Sequence, residues 1–298
     1  MKRSKKIVLS FIAAVGVSVL LACGGGGGSS TPATQTAYFI DSAVGGLQYT
    51  SGSLSGVTGA DGSFQYQAGQ PVTFKIGNLT LGSVTPGSKN IYPVDLVSGA
   101  TDQIDANVTL ISQVLQTLDD DGDPSNGITL SSSTQKTLAS GSFSAIQLNS
   151  ADPTAAKNQL TTAFQTSPIA RSVGNANALI SAASAQTHLQ SSLLKEFFNT
   201  TWKGTFSGTD SGSCQITFAP QTTGSTTAPL TGTCTSNTPG FTNATLNGYI
   251  PSSGTWTIGT ASTGAVFVGT FLRNGTASGT WQNTINQKYS GTWTMTKQ

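Results

Sequence analysis

Charge is what this 298-residue chain has least of: Asp, Glu, Lys and Arg together make up 9% of it. Its one Glu is Glu196, its one His is His188, and Arg occurs three times. A lone histidine excludes a His-built zinc centre, and a lone glutamate excludes a Glu pair for glycoside chemistry. The Lys and Arg residues beyond the first six positions are scattered, which excludes nucleic acid as a partner. What is present instead is Gly (35 residues) and a large excess of Ser and Thr over charged side chains.

The formal charge of +2 is set by the first six residues, Met1-Lys2-Arg3-Ser4-Lys5-Lys6. An uncharged run from Ile7 to Ala22 follows, too short for a comfortable membrane span and of the length of a secretory signal. It ends in Leu20-Leu21-Ala22-Cys23, which resembles the lipobox of bacterial lipoproteins, Leu21 standing where a small or hydroxyl residue is usual. The resemblance implies cleavage after residue 22, diacylation of the Cys23 thiol and acylation of its new amino group. Two or three acyl chains anchor a protein stably to lipid. The processed chain keeps 10 of the 14 cations against 12 acids, a net charge of −2. Gly24 rather than Asp after the cysteine implies, by the same resemblance, the outer membrane of a Gram-negative cell. Residues 23–36, rich in Gly and Ser, are expected to be a tether. In the oxidising exported compartment Cys214 and Cys234 are expected to form a disulfide between neighbouring strands.

Residues 37–100 alternate apolar and polar side chains in short runs punctuated by Asp61-Gly62, Gly77-Asn78 and Pro86-Gly87, the pattern of a small β domain. The phrase Gly56-Val57-Thr58-Gly59-Ala60-Asp61-Gly62-Ser63-Phe64 resembles the hairpin of carboxypeptidase-regulatory and collagen-adhesin B-type domains, with Gly59 in place of an Asp. Residues 38–130 as a whole resemble a module of uncharacterised Gram-negative surface lipoproteins and adhesin-like proteins. The resemblance implies a small sandwich at a cell surface and says little of activity.

Between 101 and 199 the apolar period becomes helical and predicts a region packed on the preceding sheet. Ile104, Val108, Ile111, Leu115 and Leu118 define one helix. Others are expected after Ser131-Ser132-Ser133, over Thr154–Gln165, and over Asn177–Phe198. Residues 200–298 break into eight short strand-like segments at spacings that fit an antiparallel meander. Gly-Thr-Trp recurs at Trp256, Trp281 and Trp293, with a looser echo at Trp202. The fold expected is thus α+β followed by an all-β domain, an eight-stranded up-and-down barrel or sandwich. Biotin-binding proteins and lipocalins share that gross form, but no ligand motif of either is present.

Three groups of residues carry candidate chemistry. Asp119, Asp120, Asp121 and Asp123 follow the first helix, at the end where its dipole is negative. Asp119, Asp121, Asp123 and Asn126 fit the oxygen donors of a structural Ca2+ site, and their spacing resembles the loops of calcium-binding repeats. Pro124 and Leu130 depart from the EF-hand pattern, and a solvated acidic helix end is the other reading. Trp202, Trp256, Trp281 and Trp293 are either barrel core or rings that stack on a ligand. His188 has no Asp nearby in sequence, and Gly52-Ser53-Leu54-Ser55-Gly56 has Leu at the centre of a would-be elbow, so a serine triad is not expected. The functional expectation is a non-enzymatic, surface-exposed outer-membrane lipoprotein of adhesin-like type, binding a polysaccharide or a surface protein. The alternatives are a periplasmic carrier with a small apolar ligand in the barrel, and a surface hydrolase.

Overall fold

The computed structural model describes residues 32–298 apart from 145, 223–224, 239–242 and 251–256, and excepting the side chains of 257 and 258. Cys23, the signal segment and Trp256 lie outside the described residues. The first strand, β1 (Thr34–Phe39), starts earlier than the expected tether boundary at 36, because Thr34–Thr36 already pair with 65–67 of β4 (Ser63–Gln67). On its other side β1 runs parallel to Asn90–Ile91. A second sheet, in the order β3 (Leu54–Val57), β2 (Gln48–Ser51), β5 (Val72–Ile76), β6 (Leu79–Val84), faces the first. Phe39 and Phe64 from one sheet meet Phe74 of the other at 4.7 and 5.1 Å between ring centres.

Helix α1 (Ala106–Thr117) is capped by Asp105, whose carboxylate accepts the amides of Asn107 and Val108. It does not present one apolar face, as its periodicity suggests. Ser112, Gln113, Gln116 and Thr117 are buried as well, and Ile104 stands outside the helix, 62% exposed. The polar side chains are tolerated because they hold neighbours: Gln113 donates to the carbonyl of Ile180 (2.6 Å), and Thr117 accepts its amide (3.0 Å). Those bonds keep residues around 180 extended. Helix α4 (Ala182–Leu194) therefore begins later than the expected Asn177, with Ser181 as its cap, and ends before Phe197. Helices α2 (Ser132–Leu138) and α3 (Pro153–Thr166) start where Ser131 and Asp152 cap them. Sheets and helices share one apolar core.

The C-terminal part is a closed antiparallel barrel of eight strands: β7 (Thr201–Gly208), β8 (Gly212–Phe218), β9 (Ala228–Ser236), β10 (Ala244–Ile250), β11 (Thr257–Ala261), β12 (Ala265–Phe271), β13 (Thr276–Asn283) and β14 (Ser290–Lys297). Each strand pairs with the next, and β14 returns to β7. Along β8 the residues Gly212, Cys214, Ile216 and Phe218 point in while those between point out. The outside is polar: Lys203, Thr205 and Ser207 on β7, and Thr292, Thr294 and Thr296 on β14. A barrel that crosses lipid carries an apolar band there. Among the described residues no helix is long and apolar enough to cross a membrane.

The Gly-Thr-Trp repeat has a packing explanation. In the register of β13 against β14, Trp281 lies opposite Gly291 and Trp293 opposite Gly279. A Cβ on Gly291 would stand 2.7 Å from Trp281 Nε1, and one on Gly279 2.8 Å from Trp293 Cε2. The nearest obstacle at each position is backbone, the Ser207 carbonyl oxygen for Gly291 and the Val268 carbonyl oxygen for Gly279. The glycines thus admit the close approach of a flanking strand as well as the indole, and Trp281 Nε1 donates to that same Ser207 carbonyl (3.0 Å). The Cys214–Cys234 disulfide joins directly opposed inward positions of β8 and β9.

Barrel and N-terminal part meet at one polar node. Arg273, in the β12–β13 turn, forks onto Asp95 through two bonds (3.0 and 2.6 Å), its guanidinium 4.8 Å above the Tyr92 ring. Tyr92 Oη and Asn90 Nδ2 both donate to Glu196 (2.7 and 2.6 Å), and Lys297 Nζ donates to the Glu196 carbonyl (2.9 Å). Beside this node Phe197 stacks on Trp202 and closes that end of the barrel.

Gly291→Ala is expected to destabilise the protein by about 1–3 kcal/mol through overpacking. Thr292→Ala, one position along but facing out, is expected to change stability by less than about 0.5 kcal/mol. Thermal unfolding of the two variants checks the close packing at Gly291.

Candidate functional site

The barrel interior is graded from one end to the other. At the end facing the N-terminal part Trp202, Phe218, Phe271 and Trp293 fill the lumen, with ring centres 4.8 Å apart for Trp202–Phe271 and 5.4 Å for Phe218–Phe271. At the opposite end the inward positions are small: Ala244, Ala261 and Ala265. Between these alanines and a floor of Phe206, Phe267, Trp281 and the sulfur-bridged Cys234 lies a partly open cavity of about 210 Å³. The floor rings brace each other, Phe206 lying 5.8 Å from Trp281 and 6.2 Å from Phe267.

The rim is polar, and Asp210, Ser236, Thr238 and Asn283 are bonded within it. Asp210 accepts from the hydroxyls of Ser236 (2.8 Å) and Thr238 (2.7 Å) and from the amide of Ser211 (2.7 Å). Asn283 accepts the amides of Ile285 and Asn286, both at 2.9 Å, and donates to the carbonyl of Thr263 at 3.2 Å. The β13–β14 loop so shaped holds Ile285 83% exposed at the cavity edge, with Tyr289 beside it. An apolar pocket whose polar groups bind one another can sequester an apolar body and has little to offer a polar one.

Of the tryptophans, Trp202 and Trp293 are core and Trp281 walls the cavity. The mouth alanines carried a weak sequence signal, a small residue at the end of each alternating run. Its meaning depends on which ends of the strands come together.

The aspartate loop is folded onto itself. Asp119 turns inward and accepts the Thr129 amide (2.8 Å). Asp121 accepts from the Asp123 amide (3.0 Å) and Asn126 Nδ2 (2.9 Å), and these bonds hold its pKa below the ordinary value. Asp123 accepts the amide and hydroxyl of Ser125. Among the described residues no group of three or more His, Cys, Asp or Glu side chains converges as a metal site. Asx turns and the Asn126 amide shape the loop, with both bonds to Asp123 falling on Oδ1.

His188 does meet a serine and an aspartate, from far away in sequence. Its Nε2 lies 3.2 Å from Ser42 Oγ, 3.2 Å from the Asp41 carbonyl and 3.8 Å from Asp41 Oδ1. All three neighbours approach the same ring nitrogen, whereas a triad places the nucleophile on one nitrogen and the carboxylate on the other. Ser42 is 6% exposed, and its amide is taken by Ser192 Oγ (2.9 Å). The cluster is a polar knot that ties the turn after β1 to α1, through Gln116 on Asp41 (2.9 Å), and to α4.

Comparison with protein-family models and with curated protein sequences returned no match for this chain.

Burial raises the Asp41 pKa to about 7, against the hydrogen bond from Gln116, and burial lowers that of His188. Burial likewise raises Asp119 to about 6. Between the ordinary aspartate value and these raised values the folded protein holds protons that the unfolded chain has released. The contribution of these two carboxylates to stability therefore falls as pH rises through that window and levels off above about 7, while His188, whose value burial lowers, contributes in the opposite sense below its ordinary value. Asp41→Asn is expected to flatten this slope and to raise the melting temperature at pH 8, as read by calorimetry from pH 4 to 8. For the loop, a melting temperature raised by added calcium and lowered again by EDTA marks a Ca2+ site, whereas Asp121→Ala is expected to lower the melting temperature through lost turn bonds with or without calcium.

Proposed function

We propose that this chain is a non-enzymatic binding protein, anchored in outer-membrane lipid through acylated Cys23 and acting at the cell surface in an adhesin-like role. The observation that carries the reading is the direction of the barrel. Its filled end is bolted to residues 90–197, which follow the tether, and its hollow, alanine-lined end opens on the far side. The mouth, with exposed Ile285 and Tyr289, is the apolar opening that such a protein would turn to a partner. The lipobox-like end of the signal segment supports the anchor. The Thr- and Ser-covered outer wall supports a neutral partner such as a polysaccharide or an uncharged protein surface. The same mouth cavity favours a second reading, a periplasmic carrier.

One experiment separates them. Intact cells carrying an epitope after Gln298 are treated with a broad protease. Loss of the epitope without lysis is expected. Protection until the outer membrane is breached transfers the reading to the periplasmic carrier. Release of the Cys23→Ala protein into the soluble fraction is the accompanying expectation for the anchor.

A further inference from the structure

Resting on the binding role given above, the geometry points to the ligand class of the mouth: we propose that it holds one small, uncharged apolar molecule, the size of one to two fused rings.

Volume sets the size. A dry apolar cavity of about 150 Å³ is enough for benzene, and sites for drug-sized molecules start at about 300 Å³. The mouth, at about 210 Å³, lies between them. The lining sets the polarity. Phe206, Phe267 and Trp281 offer ring faces and edges, and Cys234 adds a polarisable sulfur. Trp281 Nε1, which could have served a polar ligand, is spent on the Ser207 carbonyl (3.0 Å). The Asn283 amide and the Ser236 hydroxyl are likewise committed to protein partners. Charge sets the sign. Among the described residues lining the cavity Asp210 is the only ionisable carboxylate, and none is Lys or Arg. A fatty-acid or other carboxylate entering the mouth would shed water without gaining a cation, beside a like charge. A neutral ring meets neither cost.

The arrangement is also a built vacancy. At the other end Trp202, Phe218 and Phe271 fill the space beside the inward Ala228 and Ala277, whereas at the mouth no described residue covers Ala244, Ala261 and Ala265 from within. Leucine at any of these positions would bury more apolar surface inside the barrel. The space is kept open at a cost in stability, the usual exchange at a binding site.

The test uses the full chain secreted with Cys23→Ala, so that no detergent competes for the cavity, and naphthalene as the probe. Saturable one-to-one binding is expected, with a change in tryptophan emission from Trp281. Ala261→Leu and Ala265→Leu are expected to weaken binding at least about tenfold while leaving the melting temperature equal or higher. The anion 2-naphthoate is expected to bind at least about tenfold more weakly than naphthalene, and Asp210→Asn to narrow that gap. Absence of naphthalene binding, or equal binding by folded Ala261→Leu and Ala265→Leu, overturns the proposal. Equal binding of naphthalene and 2-naphthoate overturns its charge selectivity, and that comparison needs only the wild-type interior should a variant fail to fold. The outcome is independent of the protease experiment. An accessible epitope without naphthalene binding removes the ligand class alone, and naphthalene binding with a protected epitope removes the surface location alone.

Discussion

The forked ion pair between Arg273 and Asp95 is the constraint on which the arrangement of this protein rests. In a chain with three arginines and one glutamate, one arginine and that glutamate stand at a single node. A partly buried charge is tolerated where it is paired and hydrogen-bonded, as Arg273 is by Asp95. Asp95 takes both guanidinium bonds and the Tyr92 amide (2.8 Å), while Tyr92 lies under the guanidinium and donates its hydroxyl hydrogen bond to Glu196. Planar guanidinium geometry makes such a pair directional as well as attractive. It holds the turn of the barrel on the N-terminal part, while the chain itself, running from Phe197 directly into β7 at Thr201, decides which barrel end Phe197 stoppers.

From that orientation the gradation inside the barrel acquires meaning. Eight strands enclose a lumen that side chains can just fill. The chain fills it with tryptophan and phenylalanine where the barrel meets its neighbour and leaves it lined by alanine where it meets solvent. Gly279 and Gly291 leave room for the flanking strands as well as for indole rings, so a repeat that reads as a ligand motif is in large part a rule for packing adjacent strands.

How much of this was legible in the sequence differs by element. The barrel was, since period-two alternation with turn residues is local information, and so were the helix caps at Ser131 and Asp152. The disulfide was legible because neighbouring strands of a meander carry their cysteines to one register. The onset of α4 was not: the apolar stripe from Asn177 continues through Ile180, and only Gln113 and Thr117, more than sixty residues away, hold that stretch extended. Nor was the meeting of Asp41 with His188, at a separation of 147 residues. The inward turn of Asp119 depends on the Thr129 amide that receives it. In the candidate site the aromatic members stood out as types, whereas the defining alanines are informative only once the strand ends are assembled.

Closure of β7 onto β14 has a kinetic consequence. The ring's first and last strands are joined by the pairings Trp202 with Lys297 and Gly208 with Gly291, so no barrel exists until the chain has been delivered as far as residue 297. Contacts of such long sequence separation form late and slowly. A polypeptide threaded through a translocation channel from its N-terminus would expose β7–β13 as an open, Thr-rich sheet with free edges for the whole of its passage. Its low charge offers little protection against edge-to-edge pairing during that interval. Until Lys297 reaches Trp202, the edge of β7 therefore stays open to any other strand that can pair with it.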